Sequence, residues 1–230
     1  AALGAVDFLM WVVTGISTGL TQGFSIQLSQ YYGAKDFENL RKSLAHSYRL
    51  TAFIAAGVLI LSQSFASLVL TGLHTPSNII GMSLLYLRII FCGIPATAAY
   101  NMFASALRAM GNSKTPLTAM IIASVLNVSL DLLFVAGFGW GVAGAAIATV
   151  IAQSFSAVYC FLILRRIDIV HLTRADFMPA SGMNARLMKL GIPVVFQNII
   201  IGVGGLVVQY VINGYGFLFV AGFTATNKLY

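Results

Sequence analysis

Six stretches of this chain carry no Asp, Glu, Lys or Arg: residues 8 to 34, 50 to 87, 89 to 107, 115 to 130, 132 to 164 and 190 to 227. A bilayer core takes about 20 apolar residues per helix, so several of these runs can span. The longer ones contain Gly, Pro and Asn clusters where a hairpin can turn. The 230 residues are 59% hydrophobic and 8% charged, against roughly 25% charged in a soluble domain. A water-soluble fold is thereby excluded, because a chain of this length still needs a polar surface around its core.

The pattern predicts an all-α membrane protein, a polytopic helix bundle with six complete spans and part of a seventh. The spans fall near 8–30, 50–72, 81–107, 117–137, 143–164 and 191–213, and the last opens near 217. A membrane β-barrel is disfavoured, since the ten-residue apolar and polar alternation of membrane strands is missing. Ala1 in place of Met, and an apolar segment that has barely begun at Tyr230, indicate a piece of a longer chain.

The formal net charge of +7 raises the question of a polyanionic partner, and the placement of the basic residues answers it. Lys35, Arg41, Lys42 and Arg49 flank the first connection, Arg108 and Lys114 the third, and Arg165, Arg166, Arg174, Arg186 and Lys189 the fifth. The second, fourth and sixth connections carry none. Eleven of the thirteen basic residues thus lie on one side, which the positive-inside rule makes cytoplasmic. Ala1 then starts outside, and the basicity reports topology, not nucleic acid. Trp11, Tyr86, Trp140 and Tyr215 fall near outer ends, and Tyr31, Tyr32 and Tyr48 near inner ones, as interfacial aromatics do.

The connections read as turns. Gly111 is placed to take the left-handed conformation that closes one helix, with Thr115 and Pro116 to cap and open the next. The first span should end at Gly33, followed by a short surface helix over 37–47. Residues 165–189 form the longest polar stretch, a linker between two membrane bundles. Pro95, after Gly93, removes a backbone hydrogen bond in mid-span and should bend that helix. Gly15, Gly19 and Gly23, spaced by four, make a small-residue face for close helix packing. Cys92 and Cys160 lie in opposite leaflets and read as packing residues, without a disulfide or a metal. Gly139 to Gly144 fits G-x-G-x-x-G but lacks the strand and βαβ unit of a dinucleotide site. Gly15 to Gly19 fits G-x-S-x-G but lacks the strand-to-helix elbow.

One polar constellation remains, and it is costly to keep. Asp131 is the acidic residue well inside a span, where a carboxylate costs on the order of 3 kcal/mol even on the lenient insertion scale. Asn127 lies one turn earlier on the same face, and the next helix offers Thr149 and Gln153. Counting about 1.5 Å per residue from the outer turn puts Asp131 roughly 9 Å below Gly137 and Thr149 roughly 8 Å below Gly144, at one level. Such oxygens suit a small cation, and the same carboxylate can instead carry a proton. Interhelical hydrogen bonding is the plainer role for Asn127 and Thr149 taken singly. Asn101, on the bent helix, is a candidate to line a cavity with Gln153. Arg88 sits close enough to the outer end to snorkel. Gln197, Asn198, Gln209 and Asn213 add uncharged polar groups to the sixth span.

Tyr32 to Asp36, Leu107 to Pro116, Asn127 through Asp131, and Gly141 to Thr149 together resemble the multidrug and toxic compound extrusion (MATE) family over essentially the whole chain. The resemblance implies twelve helices in two lobes. Residues 1–166 would supply most of the N-terminal lobe without its first helix, 167–188 a cytoplasmic linker, and 189–230 the start of the C-terminal lobe. It implies a plasma-membrane transporter, bacterial inner membrane foremost, that exports organic and often cationic compounds in antiport with H+ or Na+. No other cofactor, no nucleic acid and no enzymatic activity are expected, and the full-length protein should be a monomer. The family's first-lobe cation site matches Asn127, Asp131 and Thr149, with Na+ at Asp131 the only metal in view; its partner Asp on the first helix has no counterpart here. Two alternatives differ in class. One is a lipid-linked saccharide flippase of the same broad superfamily, which would call for a more charged central cavity. The other is an intramembrane hydrolase, for which no nucleophile, base and orienting residue share one depth.

Overall fold

The computed structural model describes residues 2–72, 77–178, 180 and 182–213. The expected span opening near 217, the connections at 73–76 and 214–216, and the side chains of Trp11, Gln209, Asn213 and Tyr215 lie outside what is described. Among the described residues seven α-helices follow one another: α1 (Ala2–Gly33), α2 (Phe37–Gly72), α3 (Ser77–Cys92), α4 (Ile94–Ala109), α5 (Lys114–Asp131), α6 (Gly141–Arg165) and α7 (Met183–Asn213). Among the described residues there is no strand. A π-helical turn, Leu132–Gly137, extends α5, and short 3-10 turns at Asp168–Val170 and Arg174–Phe177 interrupt the connection from α6 to α7.

Four described stretches are long and apolar enough to cross a bilayer, and α3 with α4, bent by 40°, makes a fifth. Large apolar side chains face outward along them: Phe53 is 84% exposed and Ile200 68%. In water that surface would drive association; against lipid tails it is matched. Inside, Phe24 and Leu28 of α1, Leu44 of α2, Met102 and Leu107 of α4 and Leu187 of α7 close the main apolar cluster. Helix α1 is the hub, packed against α2, α4 and α7.

The glycine face of α1 explains its closest contact. A Cβ on Gly19 would fall 2.8 Å from the Val195 Cα of α7, and one on Gly23 would collide with the Gly191 backbone. Two helices can approach this closely only where the side chain is a hydrogen. Asn198 donates from Nδ2 to the Gly15 carbonyl at 3.4 Å, continuing the same seam.

The turn between α4 and α5 forms as expected at its first residue. Gly111 has φ +83, the Asn112 N–H donates to Leu107 O and the Gly111 N–H to Arg108 O, the paired bonds of a Schellman cap. The next helix opens differently from the expectation. The Asn112 side chain accepts the Thr115 N–H at 3.1 Å and α5 begins at Lys114, so Asn112 supplies the cap and Thr115 is already helical. Helix α1 ends at Gly33 as expected, and the left-handed residue of the turn that follows is Lys35, at φ 57, with the Asp36 N–H donating to Tyr31 O and the Lys35 N–H to Tyr32 O.

No separate surface helix forms over 37–47. These residues are the first turns of the 36-residue α2, because no Gly or Pro interrupts the chain from Ala34 to Ala56 and Ser43, His46 and Ser47 are buried. The connection after α6 is strapped onto this end of α2. Arg49 donates to Phe177 O at 3.0 Å, and His46 Nε2 donates to Met178 O at 3.1 Å while its Nδ1 pairs with the Asn184 side chain at 2.7 Å. Asp176, itself buried, lies 3.8 Å from Arg41 and accepts the Thr173 N–H and hydroxyl. Helix α7 starts at Met183, earlier than the sequence suggests.

The bend follows from Gly93 and Pro95. Pro95 has no N–H to donate, and α3 and α4 part at Gly93, whose missing side chain leaves room for Val150: a Cβ there would meet Val150 Cγ2 at 2.8 Å. Cys92 and Cys160 are both free thiols.

Close packing of α1 on α7 is open to test in the full-length protein. Gly23→Val should lower the thermal midpoint in detergent by several degrees, since overpacking a tight contact costs about 1–3 kcal/mol. Gly33→Ala, where an added Cβ meets nothing within 4 Å, should leave the midpoint within about a degree.

Candidate cation site between helices α5 and α6

Helices α5 and α6 run antiparallel from the tight turn at 138–140, and their facing surfaces carry polar residues at helical spacing. Ser124, Asn127 and Asp131 recur along α5, and Thr149, Gln153 and Ser156 along α6. Asn127 Nδ2 donates to Thr149 Oγ1 at 3.4 Å, and Thr149 donates in turn to the Ala145 carbonyl at 3.0 Å. With its amide nitrogen turned to Thr149, Asn127 keeps its Oδ1 as the atom to offer a cation or a proton donor.

A cavity of about 250 Å³ opens beside this contact, lined by Tyr100 of α4, Ser124 and Asn127 of α5, and Thr149, Gln153 and Ser156 of α6. Two buried acceptors near it, Gln153 Oε1 on its wall and Asp131 Oδ1 one turn beyond Asn127, have no hydrogen-bond partner among the described residues. A buried oxygen without a donor costs about 1–3 kcal/mol, more when ionised. A small cation, a proton on the carboxylate or an ordered water would each relieve that cost. The donor set is all oxygen apart from the amide nitrogens, hard ligands of the kind Na+ takes.

Relative to the sequence-based placement, the level of the residues shifts. Thr149 stands opposite Asn127, and Asp131 lies one turn closer to the outer turn. The cause is local: α6 begins at Gly141, three residues before the expected Gly144 reference, which sets Thr149 deeper. On the other strand of the hairpin, the π-helical turn directly after Asp131 adds a residue per turn. Such turns interrupt the regular backbone ladder and concentrate at functional positions.

Gln153 lies on the wall of this cavity. Asn101 does not: it donates to Thr18 of α1 at 3.2 Å, on the face of α4 turned toward α1, while its neighbour Tyr100 faces the cavity. Tyr100, Ser124 and Ser156 are the polar lining residues not singled out from the sequence. The i, i+3, i+7 spacing of Ser124, Asn127 and Asp131 and the i, i+4, i+7 spacing of Thr149, Gln153 and Ser156 are the signals that could have found the two serines.

Comparison with known proteins places this arrangement in context. Residues 1–133 match the MatE family model. The "Probable multidrug resistance protein YpnP" of Bacillus subtilis is 32% identical over 99% of this chain and 52% of its own length. The "Multidrug export protein MepA" of Staphylococcus aureus is 24% identical over 95% of this chain and 49% of its own. The chain thus spans about half the length of the curated relatives it matches. Among solved structures, a MATE protein in the bent conformation superimposes with a TM-score of 0.89 at 23% identity, covering 99% of this chain and 51% of the other. That similarity concerns the fold.

If the orphaned oxygens hold a cation, the ion stabilises the folded state by mass action. Raising Na+ from zero to 100 mM at constant ionic strength should raise the thermal midpoint of the full-length protein. Asp131→Asn should remove the increment, and an equal increment in that variant would place the ion elsewhere.

Proposed function

The chain belongs to the MatE family, and on that premise we propose that the full-length protein exports organic, often cationic, compounds in antiport with H+ or Na+. Residues 1–166 are assigned to the N-terminal lobe, 167–188 to the linker and 189–230 to the start of the C-terminal lobe. The basic ends of the helices face the cytoplasm, since eleven of thirteen basic residues lie there and positive loops are retained inside. The membrane is the plasma membrane, and the working unit is a monomer. Names of relatives support the substrate class: YpnP is a probable multidrug resistance protein and MepA a multidrug export protein.

The observation that carries the coupling is the pair of buried acceptors, Asp131 Oδ1 and Gln153 Oε1, left without donors beside the Asn127–Thr149 contact. Asp131 binds the coupling cation, with Asn127, Thr149 and Gln153 as neutral oxygen donors around it. A cation there is held by side chains of two helices at once, so it favours the state in which α5 and α6 keep this spacing. Export requires that the substrate favour the other state. Unequal binding of each ligand to the two states is the whole of the coupling, and it is reciprocal. The tight α1–α7 seam joins the assigned first lobe to the first helix of the second, and rocking of the lobes works against it.

In vesicles containing the full-length protein, an imposed Na+ or H+ gradient should drive efflux of a fluorescent cationic dye. Asp131→Asn should reduce the gradient-driven rate to the protein-free background while membrane insertion stays at the parent level. Thr149→Val, which keeps the shape but loses the hydroxyl, should weaken coupling by about tenfold, the equivalent of one hydrogen bond of about 1.4 kcal/mol. Undiminished gradient-driven efflux in Asp131→Asn would refute the assignment.

A further inference from the structure

The bend at Gly93 shapes the outer surface as well as the core. Before it, α3 packs between α2 and α6; after it, α4 packs against α1 as well as α2 and α6. The chain therefore steps inward, and in the basic half of the bundle a groove opens over α4. It encloses about 300 Å³ and is lined by Ala52, Ala56 and Leu59 of α2 and Pro95, Ala99 and Phe103 of α4. Ala52, Ala56 and Pro95 are exposed along it. From Tyr48 to Leu59 the wall is about 16 Å long at 1.5 Å per residue, and apart from Thr51 and the Tyr48 hydroxyl it is apolar. The Thr51 hydroxyl, on a side chain only 8% exposed, has no partner among the described residues.

At the basic end of this groove lies a second cavity, of about 260 Å³, with a different lining: Tyr48, Phe161, Arg165, His171, Leu172 and Phe177. Tyr48 borders both cavities. Its ring stands edge-on to Phe103 at 5.4 Å, and Phe103 lies 5.2 Å from Phe161. The Arg165 guanidinium sits 5.7 Å above the Phe161 ring, which holds the cation at the mouth. Arg165 makes no ion pair among the described residues, so its charge is free to meet an anion. The strap from α6 to α7 forms the roof.

An apolar groove at acyl-chain depth that ends in an aromatic pocket with one fixed cation matches a molecule with a long apolar tail and an anionic head. We propose that these two cavities bind an anionic glycerophospholipid, with its phosphate against Arg165 and one acyl chain along the groove between α2 and α4. The bilayer supplies such a molecule at this depth, and its headgroup would fasten the strap to α2 and α6. None of the residues belongs to the cation site, so this inference stands or falls apart from the transport reading.

The test uses the full-length protein reconstituted in vesicles of equal phosphatidylglycerol and phosphatidylcholine, extracted mildly, with retained lipid identified by native mass spectrometry. Phosphatidylglycerol should be retained over phosphatidylcholine by about fivefold, the factor for one basic side chain at an anionic surface. Arg165→Ala should bring the ratio close to one, while Arg166→Ala, whose side chain is outside the cavity lining, should leave it unchanged. Ala56→Trp, which fills the groove, should lower retention of both lipids. Excess inorganic phosphate should not displace the lipid. A parent ratio near one, a ratio unmoved by Arg165→Ala, full retention in Ala56→Trp, or displacement by inorganic phosphate alone would each overturn the proposal.

Discussion

A bilayer core offers no hydrogen-bonding solvent, and the rest of this structure follows from that constraint. Every polar atom at membrane depth must find its partner within the protein, so helices close their own backbones and polar side chains turn inward. Most do so cheaply. Ser64, Thr71, Ser129, Ser154 and Ser156 return their hydroxyls to the carbonyl one turn back. Asp131 and Gln153 do not have that escape, because a carboxylate and a carbonyl oxygen need a donor or a cation brought to them. Their orphaned oxygens lie beside the Asn127–Thr149 contact, where the α5–α6 interface carries a carboxylate and a cavity together.

The same constraint governs how helices meet. Lipid tails are as apolar as a leucine face, so association rests on close van der Waals packing instead of solvent exclusion. Gly19 and Gly23 against Val195 and Gly191 let the α1 and α7 backbones come into contact. Gly93 makes room for the Val150 side chain of α6 at the helix bend. Glycine therefore does two jobs here, letting backbones touch and letting one span change direction, and the second job opens the surface groove over α4.

Much of this was legible from charge and periodicity. The uncharged runs located the helices, Gly111 closed its helix as its type demands, the α1 glycines met a partner, and Pro95 with Gly93 bent a span. What escaped was set by tertiary context. The polar start of α2 looked like a surface element, because composition does not show that Ser43, His46 and Ser47 are buried, His46 with a hydrogen bond to the strap from α6 to α7. The π-helical turn after Asp131 has no sequence signature, and together with the early start of α6 it moved Thr149 opposite Asn127. Asn101 looked like a cavity residue by its type, and only the rotation of α4 turned it to Thr18. The candidate cation residues were named by cost, since a carboxylate in a span demands an explanation; their mutual level needed coordinates.

In the proposed mechanism Asp131 binds the ion that substrate binding releases. The direct measurement is cation release on adding substrate to purified, unenergised full-length protein, followed with a proton-sensitive dye in weak buffer and with radioactive Na+ in parallel. Release of one of the two ions is expected from the parent protein and none from Asp131→Asn. Equal release from both proteins would contradict it and return Asp131 to a structural role.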